Sequence, residues 1–172
     1  MAKLAVNELP DSGTIIIDSG STLARFAEAV PASTNLRVVT NSLVIAQTLA
    51  ELEGVEVIVL GGKVRKNTMA MVDADTLVAL EPFSVDTLFI SSDGLSAEGG
   101  LTTPYRQEAA LKQSMIRNAR RVVALVDHSK FGKDHFVRYA NWSDIDVLVT
   151  TVEASPEAIE AIEASGTTVV QA

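Results

Sequence analysis

Short runs of β-branched and aliphatic residues alternate along this chain with stretches whose apolar positions recur at helical spacing. The runs fall at 14–18, 37–40, 55–60, 87–91, 121–126, 146–150 and 167–170. Several lack polar alternation, the pattern expected of strands buried on both faces of a parallel sheet. Helical patterns fill the gaps. Residues 23–29 follow Ser21, read as an N-cap. Residues 42–51 gather Leu43, Ala46, Leu49 and Ala50 on one face. Residues 104–119 form the longest pattern, with Ala109, Leu111, Met115 and Ile116 apolar. Residues 156–164 open with Ser155 as cap and Pro156 at the first helical position, and Gly166 stops them. Such alternation predicts an α/β fold, a mostly parallel sheet flanked by helices. Residues 63–72 carry no clean period and read as an irregular hairpin. Residues 1–9 read as the end of a helix. There is no internal repeat and no Pro- or Gly-rich linker.

Composition narrows the function classes. The 172 residues suit one domain with its own core. The net charge is -8, so phosphate backbones are repelled and this chain is not expected to grip nucleic acid itself. With no cysteine, disulfides, thiolate zinc sites and cysteine nucleophiles are excluded. Apolar stretches reach only about five residues against the roughly 20 of a membrane helix, and residues 1–10 carry no secretory pattern. The expectation is a cytoplasmic protein with no membrane partner.

In an open parallel sheet, ligands sit at the carboxyl ends of the strands. The first strand exits through Asp18-Ser19-Gly20-Ser21-Thr22 into a helix. Small residues allow close backbone approach, and hydroxyls with free helix N–H groups suit a phosphate. An ordinary strand-helix turn has the same composition. No Walker or G-x-G-x-x-G motif is present. The second strand ends in Thr40-Asn41-Ser42, and the third in Gly61-Gly62-Lys63 with Arg65 and Lys66 behind. The fourth ends in Ser91-Ser92-Asp93-Gly94, and the helix that follows carries Arg106, Glu108 and Lys112. Arg106 and Lys112 suit an anion; Glu108 and Lys112 equally suit a solvated i,i+4 pair. The fifth ends in Asp127-His128-Ser129-Lys130, where a carboxylate and an ammonium suit a polyol. His128 and His135 are too few for a metal site without carboxylates. Ser129 has no evident base and acid partners, so no hydrolase triad is expected. Tyr139 and Trp142 read as core or interface residues.

Taken in order, Asp18 to Thr22, Thr40 to Ser42, Leu60 to Arg65, Gly100 to Thr103, Glu108 with Lys112, and Asp127 to Gly132 resemble the sensor domain of DeoR-family transcriptional regulators. The resemblance implies a fold similar to ribose-5-phosphate isomerase, glucosamine-6-phosphate deaminase and CoA transferases. It implies a non-catalytic domain, without cofactor or metal, that binds a phosphorylated sugar such as fructose 1-phosphate or a fructose bisphosphate. Operator DNA would be bound only through an N-terminal winged helix-turn-helix. Residues 1–12 would be the end of the linker from that head, and residues 13–172 the sensor, assembling as a homo-dimer or homo-tetramer. Asp18 and the Ser19–Thr22 loop would contact the ligand, with Thr40 to Ser42, Gly61 to Lys63 and Lys112 lining the same pocket. Asp93, Gly94, Arg106 and Glu108 complete the expected rim. Asp127 and Lys130 would meet sugar hydroxyls or a second phosphate. Where the family commonly has glycine, this chain has Asp73, a charge that would disfavour a bisphosphate if it faced the pocket.

Two rival classes share these residues. A sugar-phosphate isomerase or deaminase would use Glu108 as the base. Against it, the chain lacks the Asp-Gly-Ala-Asp-Glu run and glycine-rich lysine loop of the isomerases. An oligomerisation module with a vestigial pocket would have no use for five polar strand ends.

Overall fold

The computed structural model describes residues 1–172. Seven parallel strands form the central sheet in the order β12-β11-β9-β6-β1-β2-β3. They are β1 (Ser12–Ile17), β2 (Asn35–Thr40), β3 (Val55–Val59), β6 (Val85–Ile90), β9 (Ala119–Leu125), β11 (Val147–Thr150) and β12 (Thr168–Gln171). All seven expected strands are present, with ends shifted by a few residues.

The unbroken apolar strands reflect burial on both faces. In β1, Ile16 joins a core shared with Leu80, Leu111, Met115 and Ile162, while Ile15 and Ile17 join Leu23, Phe26, Ile45 and Leu49 on the other face. All three isoleucines are fully buried, each contributing about 1.5–3 kcal/mol relative to exposure. Helices α1 (Ala2–Ala5), α2 (Ser21–Glu28) and α3 (Leu43–Leu49) therefore cover one face. Helices α4 (Ala74–Leu80), α5 (Arg106–Arg117) and α6 (Pro156–Glu163) cover the other.

Several elements differ from the sequence reading. Ser21 is the first helical residue of α2, and Gly20, at φ 135°, is its N-cap with no side-chain hydrogen bond. Ser42 caps α3 instead of belonging to it, accepting from the Ile45 N–H. Helix α5 is shorter at both ends than 104–119, with Tyr105 as N-cap. The hairpin at 63–72 exists as β4 (Val64–Arg65) and β5 (Ala70–Met71). Residues 1–9 form α1 and a 3-10 turn, Val6–Glu8, with Ala5 fully buried and Glu8 paired to Arg121 at 2.6 Å.

A second sheet was not expected. Strands β7 (Gly94–Ser96), β8 (Gly100–Thr103) and β10 (Val137–Ala140) pair antiparallel in the order β10-β8-β7, and both β8 and β10 contact α5. Their three or four residues each are too few to show a period, and β7 and β8 are rich in Gly, Ser and Thr. Helix α4 was also missed. Its N-cap is Asp73, which accepts from the Thr76 N–H and hydroxyl and from the Lys63 N–H. Those backbone and hydroxyl donors, led by Lys63, hold the Asp73 carboxyl below its ordinary value. Asp73 is thus a structural cap and does not line the groove described next. No helix is long and apolar enough to cross a membrane.

Candidate functional site

From β1 the chain winds outward through β2 and β3, and from β6 it winds the other way through β9, β11 and β12. The switch point lies between β1 and β6, where a parallel sheet opens a crevice beyond its strand ends. Asp18 leaves β1 there, and Ser91-Ser92-Asp93 leave β6. Helix α5 crosses above and lowers Lys112 into the gap.

Lys112 is buried, and its Nζ donates to Asp18 Oδ2 and, at 2.8 Å, to the Ser91 carbonyl. It also lies 5.4 Å from the centre of the Tyr139 ring. Burial opposes the ammonium charge, but Asp18 foremost, then Tyr139 and Glu108, outweigh it and raise the lysine above its ordinary value. Burial pushes the Tyr139 phenol up to about 12, so it stays protonated and donates to the Ser91 carbonyl at 3.0 Å.

A second polar chain forms the far wall. Arg65, on the hairpin, pairs with Glu108 Oε1 and stacks 5.2 Å from the Tyr105 ring centre. Thr103 Oγ1 lies 3.0 Å from Glu108 Oε2 and 2.7 Å from Asp93 Oδ2. Asp18, Asp93, Glu108 and Lys112, with Thr68 from the hairpin loop, line an inner chamber of about 110 Å3, and Arg65, Thr103 and Tyr139 hold them as hydrogen-bonding, charged or aromatic neighbours.

The chamber opens into an outer groove of about 450 Å3, sharing Gly20, Thr68, Ser91, Ser92 and Asp93 with it. Here the first turn of α2 presents Ser21 and Thr22, and Lys130 lines the same groove. Because no side chain caps α2, its first-turn N–H groups are left for an incoming acceptor. Lys130 sits on a 3-10 turn (His128–Lys130) capped by Asp127, whose Oδ1 accepts from the Ser129 N–H at 3.0 Å. Partial burial opposes ionisation of Asp127, but the Ser129 donors and Lys130 outweigh it and lower the carboxyl. Asp127 also lines an adjoining recess with Ser21, Thr22 and Arg25.

Of the residues singled out from the sequence, Asp18, Ser19, Gly20, Asp93, Glu108 and Lys112 share the inner chamber. Ser21, Thr22, Ser42 and Lys130 line the outer groove. Others stand apart. Thr40 is fully buried and accepts from the Ser42 N–H. Asn41 is also buried and donates to the Met71 carbonyl at 2.9 Å, tying the hairpin to β2, with its Oδ1 unpartnered. Gly61, Gly62 and Lys63 lie beyond β3, an edge strand, and are exposed outside the groove. Gly94 belongs to β7, its carbonyl accepting from Ser92 and Thr102. Arg106 is exposed at the start of α5, on neither wall. Glu108 and Lys112 do not pair with each other; each finds a partner from a distant element. Thr68 lines both cavities, and Arg65, Thr103 and Tyr139 contact the lining residues Glu108, Asp93, Lys112 and Ser91; none of the four was in the expected set. Arg65 stood in a noted motif, but only the fold carries it across to α5.

Residues 1–151 match the family model of the DeoR C terminal sensor domain. The chain belongs to this family. Among relatives of the sensor domain, the HTH-type transcriptional regulator GlpR of Haloferax volcanii is 36% identical over 170 residues, covering 99% of this chain and 66% of that protein. The HTH-type transcriptional repressor GlcR of Bacillus subtilis is 33% identical over 150 residues, 87% of this chain and 57% of that one. The glycerol-3-phosphate regulon repressor of Escherichia coli is 32% identical over 150 residues, 87% and 60%. The chain thus spans less than two-thirds of each. In structure the sensor domain is similar to ribose 5 phosphate isomerase A from Neisseria gonorrhoeae, with TM-score 0.55, 19% identity and coverage of 76% of this chain and 50% of the other. It is also similar to translation initiation factor eIF-2B from Pyrococcus horikoshii, with TM-score 0.57, 15% identity, and coverage of 86% and 59%. These likenesses establish the expected fold.

Proposed function

We propose that this sensor domain binds a phosphorylated sugar in the groove at the β1–β6 switch point. The phosphate lies at the first turn of α2 beside Lys130, and sugar hydroxyls lie toward Asp18, Asp93 and Glu108. One observation carries the reading: a single groove joins an uncapped helix N-terminus and a lysine at one end to carboxylates at the other. Helix N–H groups and an ammonium suit a phosphate, and carboxylates accept from hydroxyls.

The domain acts without catalysis, as the names of its relatives suggest for a regulator. Proton abstraction needs a free carboxylate within reach of the carbon acid, whereas Glu108 is held in an ion pair with Arg65. In the full repressor, ligand occupancy modulates operator binding by the N-terminal DNA-binding part, and the two affinities are coupled reciprocally. Assembly is as a homo-dimer or homo-tetramer.

Thermal denaturation with a panel of sugar monophosphates, and inorganic phosphate as control, tests the reading. At least one sugar phosphate stabilises the domain, by roughly 2.7 kcal/mol at 100 times its Kd. No stabilisation by any of them, or turnover of a sugar phosphate that Glu108→Gln abolishes, overturns it.

A further inference from the structure

One cation, Lys112, lines the inner chamber, and a second, Arg65, stands behind it as the partner of Glu108; both are already committed. Lys112 pairs with Asp18, and Arg65 pairs with Glu108. A third carboxylate, Asp93, has no cationic partner and takes a hydrogen bond from Thr103. Thr103 has one hydroxyl proton for two carboxylates, so it serves Asp93 or Glu108 but not both at once. Three lining carboxylates against Lys112 and the Arg65 behind Glu108 leave the chamber with its backing formally at -1. The outer groove is less acidic, with Lys130 and the first turn of α2 lining it beside the shared Asp93. A hydroxyl entering the chamber finds free acceptor lone pairs. A second phosphate, or a carboxylate, meets like charge and has to break an ion pair to find a donor.

Resting on the sugar-phosphate reading above, we propose that Glu108 is a specificity-determining residue: by neutralising Arg65, it restricts the groove to ligands with one phosphate and an uncharged, hydroxylated far end. Without the Glu108 charge, the Arg65 guanidinium behind that residue is released from its partner and becomes available as an anion donor. Glu108→Gln therefore converts the chamber from excluding a second phosphate to accepting one. Asp93→Asn moves selectivity the same way by a smaller step, because it removes a negative charge without releasing a cation. Arg65→Ala leaves Glu108 unneutralised and sharpens the exclusion.

The test is calorimetric titration of the wild-type domain with the tightest sugar monophosphate of a panel and with the bisphosphate on the same carbon skeleton. Fructose 1-phosphate, fructose 6-phosphate and fructose 1,6-bisphosphate, and glucose 6-phosphate with glucose 1,6-bisphosphate, supply matched sets. The wild type prefers the monophosphate at least tenfold, and Glu108→Gln raises the relative affinity for the bisphosphate at least tenfold. A wild type that binds the bisphosphate within threefold of the monophosphate overturns the inference, as does a selectivity unchanged in a folded Glu108→Gln protein. If that variant does not fold, the wild-type pair and Asp93→Asn decide in its place. Failure of every phosphorylated sugar to bind is a different result and removes the functional reading itself.

Discussion

Lys112 and Asp18, 94 positions apart in sequence, form a buried ion pair between α5 and the end of β1, with side-chain exposures of 9% and 2%. The pair locks the helix to the sheet and forms the floor of the inner chamber. Breaking one partner of such a pair leaves an uncompensated buried charge. Asp18→Asn or Lys112→Met is therefore expected to cost about 3–5 kcal/mol, a fall in Tm of about 6–20 °C for a domain of this size. The double variant Asp18→Leu/Lys112→Met is expected to recover most of the loss. Urea denaturation of the three proteins checks this, and single variants within about 1 kcal/mol of wild type contradict it.

Gly61 and Gly62 look alike in sequence and differ in structure. Gly62 has φ 134°, and a Cβ there would sit 2.5 Å from Asp73 Oδ1 and closer still to Thr76 Oγ1. A Cβ at Gly61 would point into open space, with nothing within 4 Å. Gly62→Ala is expected to destabilise by about 1–3 kcal/mol, while Gly61→Ala is nearly neutral. Since neither lines the groove, ligand affinity is unchanged in whatever fraction of each protein is folded. Denaturant midpoints and titration together provide the check.

The acid side of the stability profile follows from two carboxylates. Asp86 is lowered below 3.8, first by the Thr14 N–H and then by the Thr14 hydroxyl, each at 2.9 Å; Asp73 is lowered by Lys63 and Thr76. A depressed carboxyl stabilises the fold above its unfolded value and loses that contribution as pH falls through the folded one. Stability is thus expected to fall below about pH 4, and Asp86→Asn shows a shallower slope there. Lys112 has the opposite sign: being raised, its contribution is complete below 10.5 and is lost only above that. Urea midpoints from pH 6 to pH 2 for wild type and Asp86→Asn measure the difference; parallel slopes contradict the assignment.

Lys130 and Arg106 separate a groove residue from a bystander. Lys130→Ala removes a cation facing the α2 N-terminus and is expected to weaken sugar-phosphate binding about tenfold, equal to about 1.4 kcal/mol. Arg106→Ala, on an exposed position outside the groove, leaves affinity unchanged. Asp127→Ala, which frees the turn beneath Lys130, weakens binding with it. Titration of the three variants with one sugar phosphate settles the ranking; equal loss in Lys130→Ala and Arg106→Ala contradicts it.

The parallel strands were legible because burial on both faces leaves apolar runs such as Ile15-Ile16-Ile17 with no polar break. Polar residues at the exits of β1 and β6 were legible too, because strand ends of such a sheet are where side chains face a crevice. That local logic singled out Asp18 and Asp93, while Glu108 and Lys112 came from the helix that follows and from the family resemblance. It could not say which charges meet. Asp18 finds Lys112 and Glu108 finds Arg65 only because α5 and the hairpin fold over the same strand ends. The small antiparallel sheet, which brings Thr103 and Tyr139 to the chamber, had no periodicity in its three- and four-residue strands. Nor could one sequence distinguish Asp73 as a cap from Asp73 as a pocket charge, since its direction depends on Lys63 and Thr76. Hydrophobic periodicity defined the seven parallel strands and the helices α2, α3, α5 and α6. The pairing of charges at the strand ends came from the three-dimensional fold, because pairing depends on distances of a few ångströms between elements far apart in the chain.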